Sequence, residues 1–340
     1  MTTQFNELPI IDLAPLYESN TSKEEVYRLA LALREVFETV GFAYLINHGV
    51  SVSHRQLFDK ARNFFSLPGP AKRKLAKRLF EPANPNTYRG FFPSQKDDSS
   101  YKEGFEVGPP KSPVAKSNRM ALGKVEKFDL LEDNVWPPES DLPNFRREVE
   151  LYYHECIALG ENIMRLVAIS LGLPEDYFRP FFEGNVSTLR FLHYPKRRLE
   201  NGTVTSDKAM FSCTPHTDSG IITLLVQDET GGLEVLNSLG QWIPAPYVPE
   251  SFVVNLGDLM SRWINGRFVA TMHRVQMVQG DRISIPFFFE PNIDAVIEPL
   301  HILVGDDHPK YERVIYGDFV RSKMVTWAEY REDIEEDVVE

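Results

Sequence analysis

The sequence predicts an α+β protein in which a set of short strands packs with helices around it, and three observations predict this. Apolar residues at helical spacing fill much of the first part of the chain, and one long amphipathic stretch covers 144–171. Beyond Leu189 the texture changes to short apolar runs separated by glycine turns. Strands this closely spaced suit a sandwich or a barrel.

The elements follow in order. Ser22-Lys-Glu-Glu25 reads as a capping box, and Val26, Leu29, Ala30, Leu33, Phe37 and Val40 then repeat with helical period until Gly41 stops the helix. Gly41 to Val50 reads as a strand and turn. A second box, Ser53-His-Arg-Gln56, starts a helix with Leu57, Phe58, Ala61 and Phe64 inward, ending before Pro68. Lys72-Arg73-Lys74 with Lys77 and Arg78 reads as a solvated helix face. From Tyr88 to Pro138 the chain is rich in Gly, Pro and polar residues, which predicts long ordered loops near the mouth of a site. The long helix places Phe145, Val149, Tyr152, Cys156, Leu159, Ile163 and Leu166 on one core-facing stripe. Strands are expected at 220–227, 232–236, 241–245, 251–256 and 282–289, with Gly231-Gly232 and Leu239-Gly240 in the turns. The expected division is a helical and stranded region over 1–140, a long helix plus strand domain over 141–330, and an acidic tail over 331–340.

With 340 residues the chain can bury a sizeable core. A formal charge of −12 disfavours a nucleic-acid partner, because phosphate binding needs clustered cations. The first residues lack the cationic start and apolar core of a signal peptide, and no stretch approaches a membrane helix, so the expectation is a cytoplasmic enzyme. The two cysteines, Cys156 and Cys213, have no metal-type spacing; the first reads as core and the second as structural or pocket-lining.

The chemistry concentrates in His216-Thr-Asp218, His273 and Arg282-Ile-Ser284. If Cys213 to Val226 is a strand, His216 and Asp218 lie on one face and present an imidazole beside a carboxylate. Alone the pair says little, since 8 His among 49 acidic residues would supply about one such spacing by chance. His273, far enough along to sit on a returning strand, would complete two histidines and one carboxylate with open positions opposite. That set is associated with non-heme Fe(II) oxygenases, whereas zinc more often takes a fourth protein ligand or holds a water. Arg282 and Ser284 share a face of an apolar run, where a guanidinium fork beside a hydroxyl suits a carboxylate held end-on; the alternative is a surface arginine on an edge strand.

These residues resemble the signature of the 2-oxoglutarate and Fe(II)-dependent dioxygenases, specifically the isopenicillin N synthase-like family. The resemblance runs along nearly the whole chain, through Leu8-Pro9-Ile10-Ile11-Asp12-Leu13, Gly41 to Val50, Tyr88-Arg89-Gly90-Phe91, Asn255-Leu-Gly257-Asp258, Trp263-Ile-Asn265-Gly266 and Phe289-Glu290-Pro291-Asn292. It implies a double-stranded β-helix, a cupin-like jelly roll, with helices outside. It also implies that His216, Asp218 and His273 bind Fe(II), and that Arg282 and Ser284, assisted by Tyr194, hold 2-oxoglutarate. No catalytic residue is expected beyond the metal centre. Where plant members carry an asparagine two residues before that tyrosine, this chain has Leu192. The implied reaction consumes O2, releases succinate and CO2, and oxidises a small molecule, by hydroxylation, desaturation or rearrangement, in specialised metabolism.

For the substrate, Tyr88, Arg89 and Phe91 lie in a loop that commonly reaches the pocket in the resembling family, although Arg89 could instead pair with a surface acid. Leu192 and Phe211 are candidates for an apolar wall, and Phe287 or Phe289 for a cap; an aromatic on such a strand is otherwise core. The segment 196–215 reads as a lid or a passive excursion. His48 is expected to satisfy local backbone groups, and His193 to point away from the face of Tyr194. Two other readings remain at this level: an iron oxidase that does not use 2-oxoglutarate, and a non-catalytic ligand-binding protein on the same fold.

Overall fold

The computed structural model describes residues 3–94, 101–110, 128–196, 211–278, 280–304, 308–324 and 327. Residues 197–210 of the expected lid and the acidic tail lie outside them.

Fourteen strands are present among the described residues: β1 (Ile10–Asp12), β2 (Phe42–Ile46), β3 (Gly90–Phe92), β4 (Glu103–Val107), β5 (Thr188–Tyr194), β6 (Phe211–His216), β7 (Ile222–Gln227), β8 (Leu233–Leu236), β9 (Trp242–Pro244), β10 (Phe252–Leu256), β11 (His273–Gln276), β12 (Arg282–Phe289), β13 (Val296–Ile297) and β14 (Val314–Ile315). The helices are α1 (Lys23–Thr39), α2 (His54–Phe65), α3 (Gly69–Arg73), α4 (Phe145–Ser170), α5 (Arg179–Phe182), α6 (Asp258–Trp263), α7 (His301–Val304) and α8 (Tyr316–Met324). None is long and apolar enough to cross a membrane.

An eight-stranded sheet runs β1-β2-β10-β7-β12-β5-β4-β3 and faces a four-stranded sheet, β6-β11-β8-β9. Apart from the parallel β1–β2 pair, the ladders of both sheets are antiparallel, the jelly-roll arrangement with helices on the outside. Helix α4 covers the outer face of the large sheet. Its Tyr153 meets the Phe287 ring edge-on at 5.1 Å, and Gly160 leaves no room for a Cβ against Phe289, which would lie 2.6 Å away. Strands from both sides of the expected boundary at 140 share this one sheet.

Helix α1 begins as predicted: Glu25 N donates to Ser22 Oγ at 3.2 Å and Ser22 N donates to Glu25 Oε2 at 2.7 Å. Helix α2 begins at the expected place, but Ser53 makes no capping bond; the distant Glu250 carboxylate accepts from His54 N at 3.2 Å instead. The segment expected as loops supplies β3 and β4. The basic run is a solvated face only in part, since Lys72 pairs with Glu103 at 2.8 Å and Lys77 is fully buried on Glu106 at 2.5 Å. A lysine is buried at this cost only with a partner, and that partner arrives on β4, which local spacing could not reveal.

Candidate active site

His273 and His216 are register partners on β11 and β6, so the ladder itself sets the two imidazoles side by side, with ring centroids 4.2 Å apart. The strand expected over 213–226 in fact ends at His216. Asp218 sits in the following turn, and the turn rather than strand alternation brings its carboxylate round. Helix α6 pins that turn: Asp258 N donates to Asp218 O at 2.7 Å, and Gly257 N donates to Ile221 O at 3.1 Å. Asp218 Oδ1 then lies 3.7 Å from Nε2 of each histidine. Among the described residues these three form the one group of ligand atoms, all within 4.8 Å of one another, that could hold a metal ion.

The neighbours of the triad orient each lone pair. His216 Nδ1 lies 2.8 Å from Thr214 O and His273 Nδ1 3.1 Å from Thr271 O. A carbonyl can only accept, so each Nδ1 carries the proton and each Nε2 lone pair turns inward. Asp218 Oδ2 accepts from Thr223 Oγ1 at 2.6 Å and from Asn255 Nδ2 at 2.8 Å, leaving Oδ1 for the centre. Two nitrogen donors and one carboxylate oxygen, held on one side, fit an Fe(II) ion with positions to spare.

The charges and hydrogen bonds around the triad suit a cation. Burial opposes protonation of His216, but Cys213, Asp218 and the Thr214 carbonyl outweigh it and raise its pKa to about 9. Burial and the His216 charge push His273 down to about 4. Burial alone would raise Asp218, yet the two imidazoles, Asn255 and Thr223 hold it below the ordinary carboxylate value.

The cavity beside this triad lies between the two sheets. Arg282 enters it from β12, opposite Tyr194 on β5, and Ser284 follows on the same face opposite Leu192. Arg282 is 1% exposed. Its Nε donates to Gly231 O at 2.6 Å and one terminal nitrogen to Gln227 Oε1 at 3.1 Å, while its carbon sits 4.9 Å from the Tyr194 ring centre. The other terminal nitrogen, Nη1, is buried with no partner among the described residues. A buried cationic N–H left open in this way is costly unless a ligand accepts from it, which fits the far carboxylate of a 2-oxo acid.

The substrate candidates divide by strand face. Leu192 lines the cavity. Phe287 and Phe289 do not: with Arg282 and Ser284 facing in, alternation sends both outward, against Tyr153 and, at 4.3 Å between rings, Phe182. Pro286 and Phe288 face in instead. Phe91 points into the core towards Phe64, with Lys72 Nζ 5.2 Å from its ring, whereas its neighbour Phe92 packs with Leu192 and Tyr194. Phe211 lies under Arg274, 5.1 Å away, on the side of the small sheet opposite His273 and Val275. Tyr88 is buried with its hydroxyl 3.1 Å from Thr188 Oγ1. Arg89 reaches neither pocket nor surface; its guanidinium holds the carbonyls of Leu130 at 2.8 Å and Glu132 at 3.1 Å. Cys213 lines the cavity, with its sulfur 3.9 Å from His216 Nδ1. His48 bridges Val50 N and Glu250 O, both at 3.2 Å, and His193 turns away to Glu103 at 2.9 Å.

Sequence reasoning gives no site role to Thr223, Asn255, Gln227, Arg190 or Phe288, all of which the structure brings to the site. For Phe288 the signal is present in the parity of Arg282 and Ser284.

Comparison with known proteins agrees with this geometry. The 2OG-Fe(II) oxygenase superfamily profile matches residues 186–291, and that of the non-haem dioxygenase in morphine synthesis N-terminal region matches 8–139. The 2-oxoglutarate-Fe(II) type oxidoreductase hxnY of Emericella nidulans is 33% identical over 328 residues, spanning 92% of this chain and 88% of its own. The 2-oxoglutarate-dependent dioxygenase citB of Monascus ruber is 35% identical over 306 residues, spanning 86% and 87%. Among solved structures, a full-length Neurospora crassa protein in complex with alpha-KG and thymine superposes with a TM-score of 0.79 at 27% identity, covering 96% of this chain and 98% of that one. The rice dioxygenase for auxin oxidation gives 0.68 at 30% identity, covering 94% and 96%. Relatives of this identity along most of the length place the chain in the 2OG-Fe(II) oxygenase superfamily: it is a dioxygenase that uses Fe(II), 2-oxoglutarate and O2.

Proposed function

We propose that His216, Asp218 and His273 hold the iron, that Arg282, Ser284 and Tyr194 hold 2-oxoglutarate, and that a small organic molecule of specialised metabolism is oxidised beside them. The observation that carries this reading is the convergence on one cavity of two Nε2 lone pairs, one carboxylate oxygen and the open Nη1 of Arg282. When bound, iron and 2-oxoglutarate supply the oxidation, with O2 consumed and succinate and CO2 released as a substrate C–H bond is oxidised.

The protein's part is to bind, orient and exclude. Thr214 and Thr271 carbonyls keep each imidazole in the tautomer that can ligate. Asn255 and Thr223 occupy one oxygen of Asp218 so that the other faces the histidines. Arg282 is pre-set by Gly231 and Gln227, so little freedom is lost when a carboxylate meets it, and Ser284 offers a hydroxyl one pleat along. Leu192, Pro286 and Phe288 give the substrate an apolar wall that keeps water from the reacting bond. Specialised metabolism as the setting draws support from the match to the morphine-synthesis profile.

The test is stoichiometry. Succinate formed should equal substrate oxidised, and His216→Ala should bind no iron under anaerobic titration. Substrate turnover without succinate would overturn the reading.

A further inference from the structure

Strand β7 reaches both ends of the site. Thr223 and Leu225 line the cavity, and alternation sets Gln227 on the same face. Thr223 donates to Asp218 Oδ2 at 2.6 Å, and Gln227 Oε1 accepts from Arg282 at 3.1 Å. Four steps of extended chain, about 13 Å, thus separate the side chain that orients a candidate metal ligand from the one that orients the candidate clamp. Gln227 is 5% exposed, stands opposite Ser284 in the β7–β12 register, and donates through Nε2 to Ala245 O at 2.8 Å. A carbonyl can only accept, so the amide cannot turn over and its oxygen is committed to the arginine. Arg282 Nε donates to Gly231 O at 2.6 Å. Gly231 alone would let the guanidinium swing about that bond; Gln227, as a second anchor, stops it. Nη1, without a partner among the described residues, is thereby fixed at one place.

We propose that Gln227 is a positioning residue that makes the enzyme selective for a 2-oxo diacid of five carbons. The inference rests on the reading of Arg282 and Ser284 as the 2-oxoglutarate clamp, and adds what sets the length of acid that the clamp takes. A co-substrate held by its far carboxylate at Nη1 and by its 2-oxo end at the triad must span a fixed interval. Strand β7 cannot stretch to change that interval, since it is paired with β10 on one side and β12 on the other. One carbon fewer leaves the carboxylate short of Nη1, and one more forces the chain to buckle. A guanidinium free to swing would absorb either misfit. An amide suits the place, because it donates to Ala245 and accepts from Arg282 without cancelling the charge that the ligand needs.

The test uses the full chain loaded with Fe(II) without oxygen, titrated calorimetrically with oxaloacetate, 2-oxoglutarate and 2-oxoadipate, which differ by one carbon each. The unaltered protein should bind 2-oxoglutarate about tenfold or more tightly than either neighbour, as one methylene gained or lost in a fitted site requires. Gln227→Met keeps the bulk but removes the acceptor, and should cut the preference over 2-oxoadipate to about threefold or less with iron affinity retained. Gln227→Glu keeps an acceptor for Arg282 while meeting its charge from within, so all three acids should weaken together and the preference should remain. A preference that survives Gln227→Met, one that Gln227→Glu loses as fully as Gln227→Met does, or iron affinity lost together with it in both variants would each overturn the proposal. The unaltered protein keeps the two readings apart. No binding of 2-oxoglutarate defeats the clamp assignment and this proposal with it, whereas binding all three acids alike leaves the clamp standing and defeats the proposal alone.

Discussion

At the end of the cavity proposed for the metal, the groups that orient the candidate ligands come largely from nearby in sequence: Thr214 and Thr271 each precede their histidine by two residues, and Thr223 follows Asp218 by five. At the other end Arg190 is held by Glu106 on β4, by Phe92 on β3 and, through Glu106, by Lys77. The first end is a local solution that one ladder, β6 with β11, completes. The second is assembled from four places along the chain. The candidate ligand set can thus stay fixed while the opposite end of the cavity is rebuilt through β3, β4 and β5.

The comparison breaks most visibly at the metal end. Asp218→Ala removes the anionic ligand and leaves Thr223 and Asn255 donating to nothing; turnover should fall below detection and anaerobic iron binding should be lost, both measured on folded protein. Arg282→Ala should raise the apparent KM for 2-oxoglutarate by about 10- to 100-fold, the worth of a charge-assisted hydrogen bond of ~1.5–3 kcal/mol, with iron affinity retained. An unchanged KM would remove Arg282 from the clamp.

Phe287 and Phe288 sharpen the contrast between faces of a single strand. Phe287→Ala opens a hole under Tyr153 and should cost about 3–5 kcal/mol of stability in denaturant titration. Phe288→Ala should leave the melting temperature less affected and act on substrate KM instead. The reverse pattern would mean that β12 is out of register.

The last expected effect is one of pH and concerns Glu290. Burial, with a contribution from Asp218, raises its pKa from 4.5 to about 8, against the opposing hydrogen bonds from Ile221 N and the Tyr316 hydroxyl. Its folded pKa lies above its unfolded one, so the folded state holds the extra proton between those values. The contribution to stability is complete below about 4.5 and is lost as pH rises towards 8. Melting temperature should decline over that window, and Glu290→Gln should flatten the decline. An identical profile in the variant would show that Glu290 does not carry it.

Much of this is legible in sequence because it depends on short-range periodicity. The α4 stripe, the Ser22 box and the strands after Leu189 are written in residues two to four apart, and so is the common face of Arg282 and Ser284. What escapes depends on pairing across long separations. Nothing near Lys77 announces Glu106, nothing near Ser53 announces that Glu250 will cap the helix, and β3 and β4, short and without apolar alternation of their own, are recruited in series, β4 onto β5 and β3 onto β4. Asp218 is a different case: its residue type is right, but a turn held by α6 delivers it, and local spacing does not record such a turn. Placing Phe287 and Phe289 at the pocket runs against an alternation already visible in the same strand.

The order of the large sheet has a consequence for handling the protein. Its outer strands, β1 and β2 on one side and β4 and β3 on the other, all come from the first 110 residues, while the four between them come from 188–289. A fragment beginning near residue 141 would expose the backbone of β10 and β5 as two raw strand borders, each a template for self-association. The region before the long helix thus acts as the molecule's hem, and a shortened enzyme should precipitate even though every proposed metal ligand remains in it.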